Sequence, residues 1–325
     1  MTVIFNRRGF LTAFGSAGLA AGMASSAPAL ARLQRRSLFQ RAGKPLGVQL
    51  YALGDAAQKD LRGTLKRLAA MGYGDFELPG FYGRPPADLR ADADAAGVRF
   101  NSIHLNLPGR LPPGSLTLMS SPQQIADALN ALGVYDVVLP LPMLPEDFNA
   151  SPGPGMRPAI LAAIDAGGID MWKRMSDVLN ERALALRPFG IQVGYHNHNM
   201  EFKPRDGTTG WDVLMRELDP KLVFLELDLG WIAAAGLDPA TELRRYKGRV
   251  KMVHLKDIKP TTQVNYALAQ DPVEVGLGAL KWREILPACV AAGVQHYYVE
   301  QEAPFTRDRF ESMQLSHDFL ARFGA

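Results

Sequence analysis

The chain has 325 residues, enough for one large domain or two ordinary ones with a substantial core. Its apolar fraction of 47% and charged fraction of 21% are those of a soluble globular protein, and acids and bases are interspersed to a net charge of +3. That balance excludes a nucleic-acid interface built on a basic stripe, and the single cysteine, Cys289, excludes an intrachain disulfide.

The first thirty residues read separately from the rest. Arg7 and Arg8 precede Gly9-Phe10-Leu11 and a weakly apolar run of Gly, Ala and Leu that closes on Ala29-Leu30-Ala31. This resembles a twin-arginine export signal over residues 1–31, ending in a small-x-small cleavage pattern. The run is short and glycine-rich, so no stable membrane anchor is expected, and the mature protein is placed in the periplasm. Residues 32–45 read as a linker, and residues 46–325 as one domain.

From residue 46 the chain repeats one pattern: a β-rich run, a polar turn, an amphipathic segment, then Gly before the next β-rich run. Strands are predicted at Leu46–Leu53, Asp75–Leu78, Arg99–Leu105, Asp136–Leu141, Ile191–Asn197, Leu222–Asp228, Val250–Leu255 and His296–Glu300. Helices are predicted in "DLRGTLKRLAAMGY", "PQQIADALNALGV", "MWKRMSDVLNERALALRPFG" and "KWREILPACVAAGV", where apolar residues recur at three and four. Cys289 falls in the last of these and reads as a core residue. The stretch "MLPEDFNASPGPGMRPAILAAIDAGG" after strand four reads as a loop excursion over the mouth. Eight strands alternating with eight helices predict a (β/α)8 TIM barrel in a single domain. No Gly-x-Gly-x-x-Gly follows an early strand, so a dinucleotide crevice has no support.

In such a barrel the chemistry sits at the C-terminal strand ends. Here those ends carry Glu77, His104, His196, His198, Glu226, Asp228, His254 and Glu300, including four of the six histidines. Period-two alternation puts His196 and His198 on one face, and Glu226 and Asp228 on one face of the next strand. Charged groups turned into a barrel must be paired or hold a metal. Imidazoles with carboxylates suit one divalent ion, Mn, Co or Zn rather than Mg.

In order, "YHNHNMEF", "LELDLGW", "VHLKD", "VGLGALKW" and "VEQEAP" resemble the xylose-isomerase-like barrel family of sugar phosphate isomerases and epimerases, which includes inosose dehydratases and ketose 3-epimerases. The resemblance implies metal ligands at Asp228, His254 and Glu300, with His196 standing where the family usually has a glutamate; His198 is the alternative ligand from that strand. It implies α-proton abstraction on a sugar, keto-sugar or cyclitol, as an isomerase or epimerase, with a dehydratase or lyase as the alternative. Glu300, Glu201 and Glu302 are the base candidates, with His198 and Lys256 as proton carriers. Glu77, His104, Trp231 and Glu302 are expected to contact substrate. The partner is a small carbohydrate, with no nucleic acid, and self-association is left open. A reading of another class is a periplasmic sugar-binding protein without catalysis.

Replacing Arg7 and Arg8 together by lysine is expected to leave precursor in the cytoplasm, read by fractionation and immunoblotting. Unchanged export would remove the twin-arginine reading.

Overall fold

The computed structural model describes residues 36–108, 114–145, 148, 153 and 155–324. The expected export signal lies outside the described residues. Eight parallel strands close into a barrel: β1 (Gly47–Gln49), β2 (Asp75–Leu78), β3 (Phe100–His104), β4 (Asp136–Leu139), β5 (Gln192–His196), β6 (Val223–Asp228), β7 (Val250–Leu255) and β8 (His296–Val299). Each pairs with its neighbour in sequence, and β8 closes on β1 through Gly47 opposite Tyr298 and Val48 opposite Val299. A helical crossover follows every strand, which is the fold predicted from the alternation of periods.

The crossovers carry their own signals. Helix Pro122–Leu132 opens on a capping box in which Ser121 accepts from the Gln124 N–H and Gln124 accepts from the Ser121 N–H. Leu61, Leu65 and Leu68 of helix Leu61–Met71 and Ile125, Ala126 and Leu129 of helix Pro122–Leu132 are buried against the barrel wall. Cys289 is fully buried in helix Trp282–Ala292, as its apolar setting predicts.

Three expectations shift. The first strand is only three residues long, because Leu50–Leu53 turn into a 3-10 helix. The excursion after β4 becomes helical at Met156 and runs to Leu186 with a break at Gly168 (φ 57°, ψ −157°). Pro158 lies in the first turn, where its missing N–H costs nothing, and the alanines that follow favour a helix. Within the stretch read as a linker, helix Leu38–Ala42 is capped by Ser37 and buries Leu38 and Phe39. The Leu38 N–H donates to the Phe323 carbonyl at 2.9 Å, and the Phe39 ring meets Tyr297 edge-on.

The barrel interior is apolar at one end, where Val138, Met252 and Tyr298 cluster with Phe224. Gly194 makes room for that layer, since a Cβ there would collide with the Phe224 ring. At the other end, Asp257 fixes the loop that follows β7. Its buried carboxylate accepts from the N–H groups of Ile258, Gly276, Gly278 and Leu280 and from Trp282 Nε1, at 2.7–3.2 Å. A Cβ at Gly278 would collide with that carboxylate, so "VGLGALKW" owes this glycine to the close approach of backbone to Asp257.

Asp257→Ala strands several buried donors at once. It is expected to lower the unfolding free energy by about 3 kcal/mol or more in a denaturant titration. A loss under about 1 kcal/mol would mean the loop is not held by this carboxylate.

Candidate metal centre

Because strand residues alternate, Glu226 and Asp228 share the inward face of β6 with Phe224, and His254 shares that of β7 with Met252. Pairing sets His196 opposite Glu226 and Asp228 opposite His254. The apolar layer is thus followed, toward the C-terminal strand ends, by two layers of charge.

The inner layer is built on Glu226, a strand-end residue that the family resemblance does not place among the ligands. Its Oε2 lies 3.0 Å from His104 Nε2, 3.1 Å from His196 Nδ1 and 3.3 Å from His254 Nε2. Burial works against the charge of Glu226, but the His254 charge and the bonds from the three imidazoles hold its carboxyl well below the usual range. Glu77 is the second carboxylate of this layer. It accepts from Gln49 Nε2 at 2.8 Å and Ser102 Oγ at 2.5 Å, and lies 2.7 Å from His254 Nε2. Burial opposes protonation of His104, yet the Glu77 charge and its bond to Glu226 raise its pKa to about 9. His196 is pushed the other way by burial and by the His254 charge.

The outer layer joins Asp228, Glu300, Glu302 and Lys256. The fully buried Lys256 ammonium sits 2.7 Å from Asp228 Oδ2, 2.7 Å from Glu300 Oε2 and 3.3 Å from Glu302 Oε1. Burial disfavours its charge, but Asp228, Glu300 and Glu302 keep it well above the ordinary lysine range. His254 bridges the layers, since its Nδ1 is 3.0 Å from Glu300 Oε2 and 3.7 Å from Asp228 Oδ2. Although Asp228 Oδ2 is ion-paired, it receives no properly directed hydrogen bond among the described residues, and there His198 Nδ1 is buried without a partner. Burial, then the His196 charge, holds His198 well below the usual histidine range.

Two buried groups have the chemistry and spacing of a metal site: Asp228 with His254 and Glu300, and His104 with His196, Glu226 and His254. Within each, one donor atom per residue lies within 4.8 Å of the others. Ligand distances of about 2.0–2.2 Å put the donors of one ion roughly 3–4.4 Å apart, close to the spacing found in both groups. Lys256 shows further that Asp228 and Glu300 converge on a point where a cation is stable. The cluster can therefore hold a metal. The four expected ligands do not form one set: His196 belongs to the inner group, Asp228 and Glu300 to the outer, and His254 to both.

A cavity of about 290 Å³ opens above, lined by Tyr51, His104, Asn106, His196, His198, Glu300 and Glu302 among others. Six expected site residues are not among its walls: Asp228, His254 and Lys256, which belong to the buried layers, and Glu201, Trp231 and Glu77. Glu201 is fully buried, accepts from Tyr195 OH at 2.7 Å and from the His198 N–H at 3.0 Å, and its pKa is raised to about 7 by burial. It holds the turn after β5. The Trp231 indole packs with Ala234 and Ile258 and lies beneath Lys256 Nζ, 4.9 Å from the ring centroid. Glu77 lies fully buried in the inner layer. Tyr51, Gln49 and Asn106 are the residues missed: uncharged side chains on β1 or just past a strand give no signal of their own.

Residues 65–322 match the family described as xylose isomerase-like TIM barrel. The inosose dehydratase of Clostridium tetani is 38% identical over 88 residues, 27% of this chain and 29% of that protein. The chain thus matches under a third of the length of this curated relative. A sugar phosphate isomerase/epimerase from Parabacteroides distasonis is 26% identical, with a TM-score of 0.63 over 86% of this chain and 94% of that one. A 3-keto-D-glucoside 4-epimerase from E. coli shares the fold at 16% identity, with a TM-score of 0.58 over 85% of this chain and 98% of that one. The closed barrel, the two charged layers at its C-terminal end and the match over most of the chain lead to one conclusion: the protein belongs to the xylose isomerase-like TIM barrel family.

Proposed function

We propose that the protein is a divalent-metal-dependent enzyme that removes a proton α to the carbonyl of a sugar, keto-sugar or cyclitol, and that a β-hydroxyl or β-alkoxy group then leaves. The observation that carries this reading is the convergence of the buried Asp228 and His254 on Glu300, which itself lines a small polar cavity. These three would hold the ion, with His198 as the nitrogen free to join them. A bound divalent ion supplies Lewis-acid polarisation of a carbonyl and its neighbouring hydroxyl.

The remaining work falls to side chains at the cavity wall. Glu302 lines the cavity outside the ligand group and touches Lys256, which supports a role in which it accepts the α-proton while Lys256 steadies its charge. His104 and Asn106 also line the cavity, and in this reading they hold substrate hydroxyls. Glu300 and Glu302 come from the segment after β8, whereas the other titratable walls are Tyr51, His104, His196 and His198. With His196 where the resemblance implies a glutamate, the carboxylates of the wall all come from the segment after β8, and in this reading they reach the substrate from one side. The C–H proton then goes to a carboxylate, the C–O bond breaks, and the departing oxygen takes a proton from an imidazole. The second reading, isomerisation or epimerisation, is favoured by the 26%-identical neighbour from Parabacteroides distasonis.

The test is exposure of a panel of keto-sugars and inososes to the purified protein in D2O, with metal content measured in parallel. One divalent ion per chain, deuterium uptake at one carbon and an enone absorbance are expected; exchange without an enone would select the second reading. Asp228→Asn and His254→Ala are each expected to lower bound metal about tenfold or more while the circular dichroism stays native. Absence of both metal and exchange would sink the proposal.

Lys256→Met leaves Asp228, Glu300 and Glu302 without their shared cation. Its melting temperature is expected to fall in chelator and to rise more than that of the unchanged protein when Mn or Zn is added. Equal metal-induced shifts in the two proteins would count against an ion at this point.

A further inference from the structure

The mouth cavity adjoins a larger one. A cavity of about 680 Å³ lies over the loops after β2 and β3 and shares Pro79, His104 and Asn106 with the mouth. Its other walls include Phe81, Tyr82, Leu105 and Leu116, so it is mainly apolar with a ring-bearing side. Small-molecule sites run from about 300 to 1,000 Å³. The mouth alone is at the bottom of that range, and the two together exceed what a single sugar ring needs.

Tyr82 is the unusual residue in this second cavity. Its backbone has φ +53°, the left-handed region that a bulky side chain rarely adopts. The turn is closed by the Arg84 N–H donating to the Phe81 carbonyl at 2.9 Å, and Arg84 is itself anchored to Asp92 at 2.8 Å. The Tyr82 hydroxyl is buried and has no hydrogen-bond partner among the described residues. A strained backbone and an unpaired buried hydroxyl both cost stability, and neither is offset by a contact within the described residues. A ligand ring lying against Phe81 and Tyr82 would offset both, through its apolar face and through a polar atom offered to the hydroxyl.

We propose that this cavity is a subsite for a second ring, so that the substrate is a glycoside: the reacting sugar in the mouth, and the ring on its glycosidic oxygen against Phe81 and Tyr82. The proposal rests on the mouth being the reacting site, as argued above. The ring can be a sugar or an aryl group, since both present a flat apolar face. His104 and Asn106, which line both cavities, stand at the junction where the glycosidic oxygen would pass.

The test uses ligands that lack the reactive carbonyl, so binding is read without turnover. Methyl β-D-glucoside, phenyl β-D-glucoside and cellobiose are titrated calorimetrically into the purified full chain. Phenyl glucoside or cellobiose is expected to bind about tenfold tighter than the methyl glucoside, and which one gains identifies the ring. Tyr82→Gly removes the ring while suiting the positive φ, and should abolish the gain without weakening the methyl glucoside. Phe81→Ala, which leaves the Tyr82 backbone untouched, should reduce it. Equal affinities for all three ligands, or a gain that survives both substitutions, would overturn the proposal. Deuterium exchange into keto-sugars is unaffected by that result, so failure of the subsite and failure of the proposed reaction are told apart.

Discussion

The Glu226 carboxylate, surrounded by three imidazoles in a space closed to water, is the interaction on which the barrel's working end depends. A lone carboxylate there would lose its hydration with nothing in return. His104, His196 and His254 supply the compensation from three different strands, so the charge also fixes how those strands meet. Glu77 repeats the arrangement from β2, with Gln49, Ser102 and His254 as partners. The inner layer is therefore a platform of matched charge, and the outer carboxylates rest on it through His254.

Much of this was legible in the sequence. Alternation of a two-residue and a 3.6-residue period located all eight strands, and the apolar run of β7 matched its strand end to end. The position of the site followed, because a charge turned into a barrel needs a partner or an ion beside it, and the charged strand ends all lie on one rim. What could not be read was direction beyond the last strand residue. Glu201 and Trp231 sit past a strand end, where the chain has already turned and alternation no longer applies. Both face packing rather than the cavity. The grouping of ligands was equally out of reach, since it depends on which of two layers each side chain joins. His196 and Asp228 are on neighbouring strands but two residues apart in height, a distance that only the pairing register reveals. Helix Met156–Leu186 was half hidden because Pro158 and the glycines read as loop, although a proline in a first turn is harmless.

Consecutive residues of one strand end tie stability to chemistry. Lys256 turns inward to the carboxylates of the outer layer, while Asp257 turns away and gathers five donors from the loop to helix Trp282–Ala292. A shift in that loop is therefore passed to the ammonium through a single peptide unit. The polar layers are stiff for the same reason that they are costly: each group is oriented by partners that are themselves buried. Such a site is organised before substrate arrives.

The seam under the barrel has a consequence for the order of assembly. Leu38 hydrogen-bonds to Phe323, Arg41 reaches the Gly324 carbonyl, and Phe39 packs on Tyr297. Strand β1 needs β8 for its second row of pairing. During synthesis the early strand therefore has one side open until the distant strand β8 has been made. Contacts between such distant parts of a chain form late and at high entropic cost. Until then β1 presents an exposed β edge, the state in which a chaperone would find it.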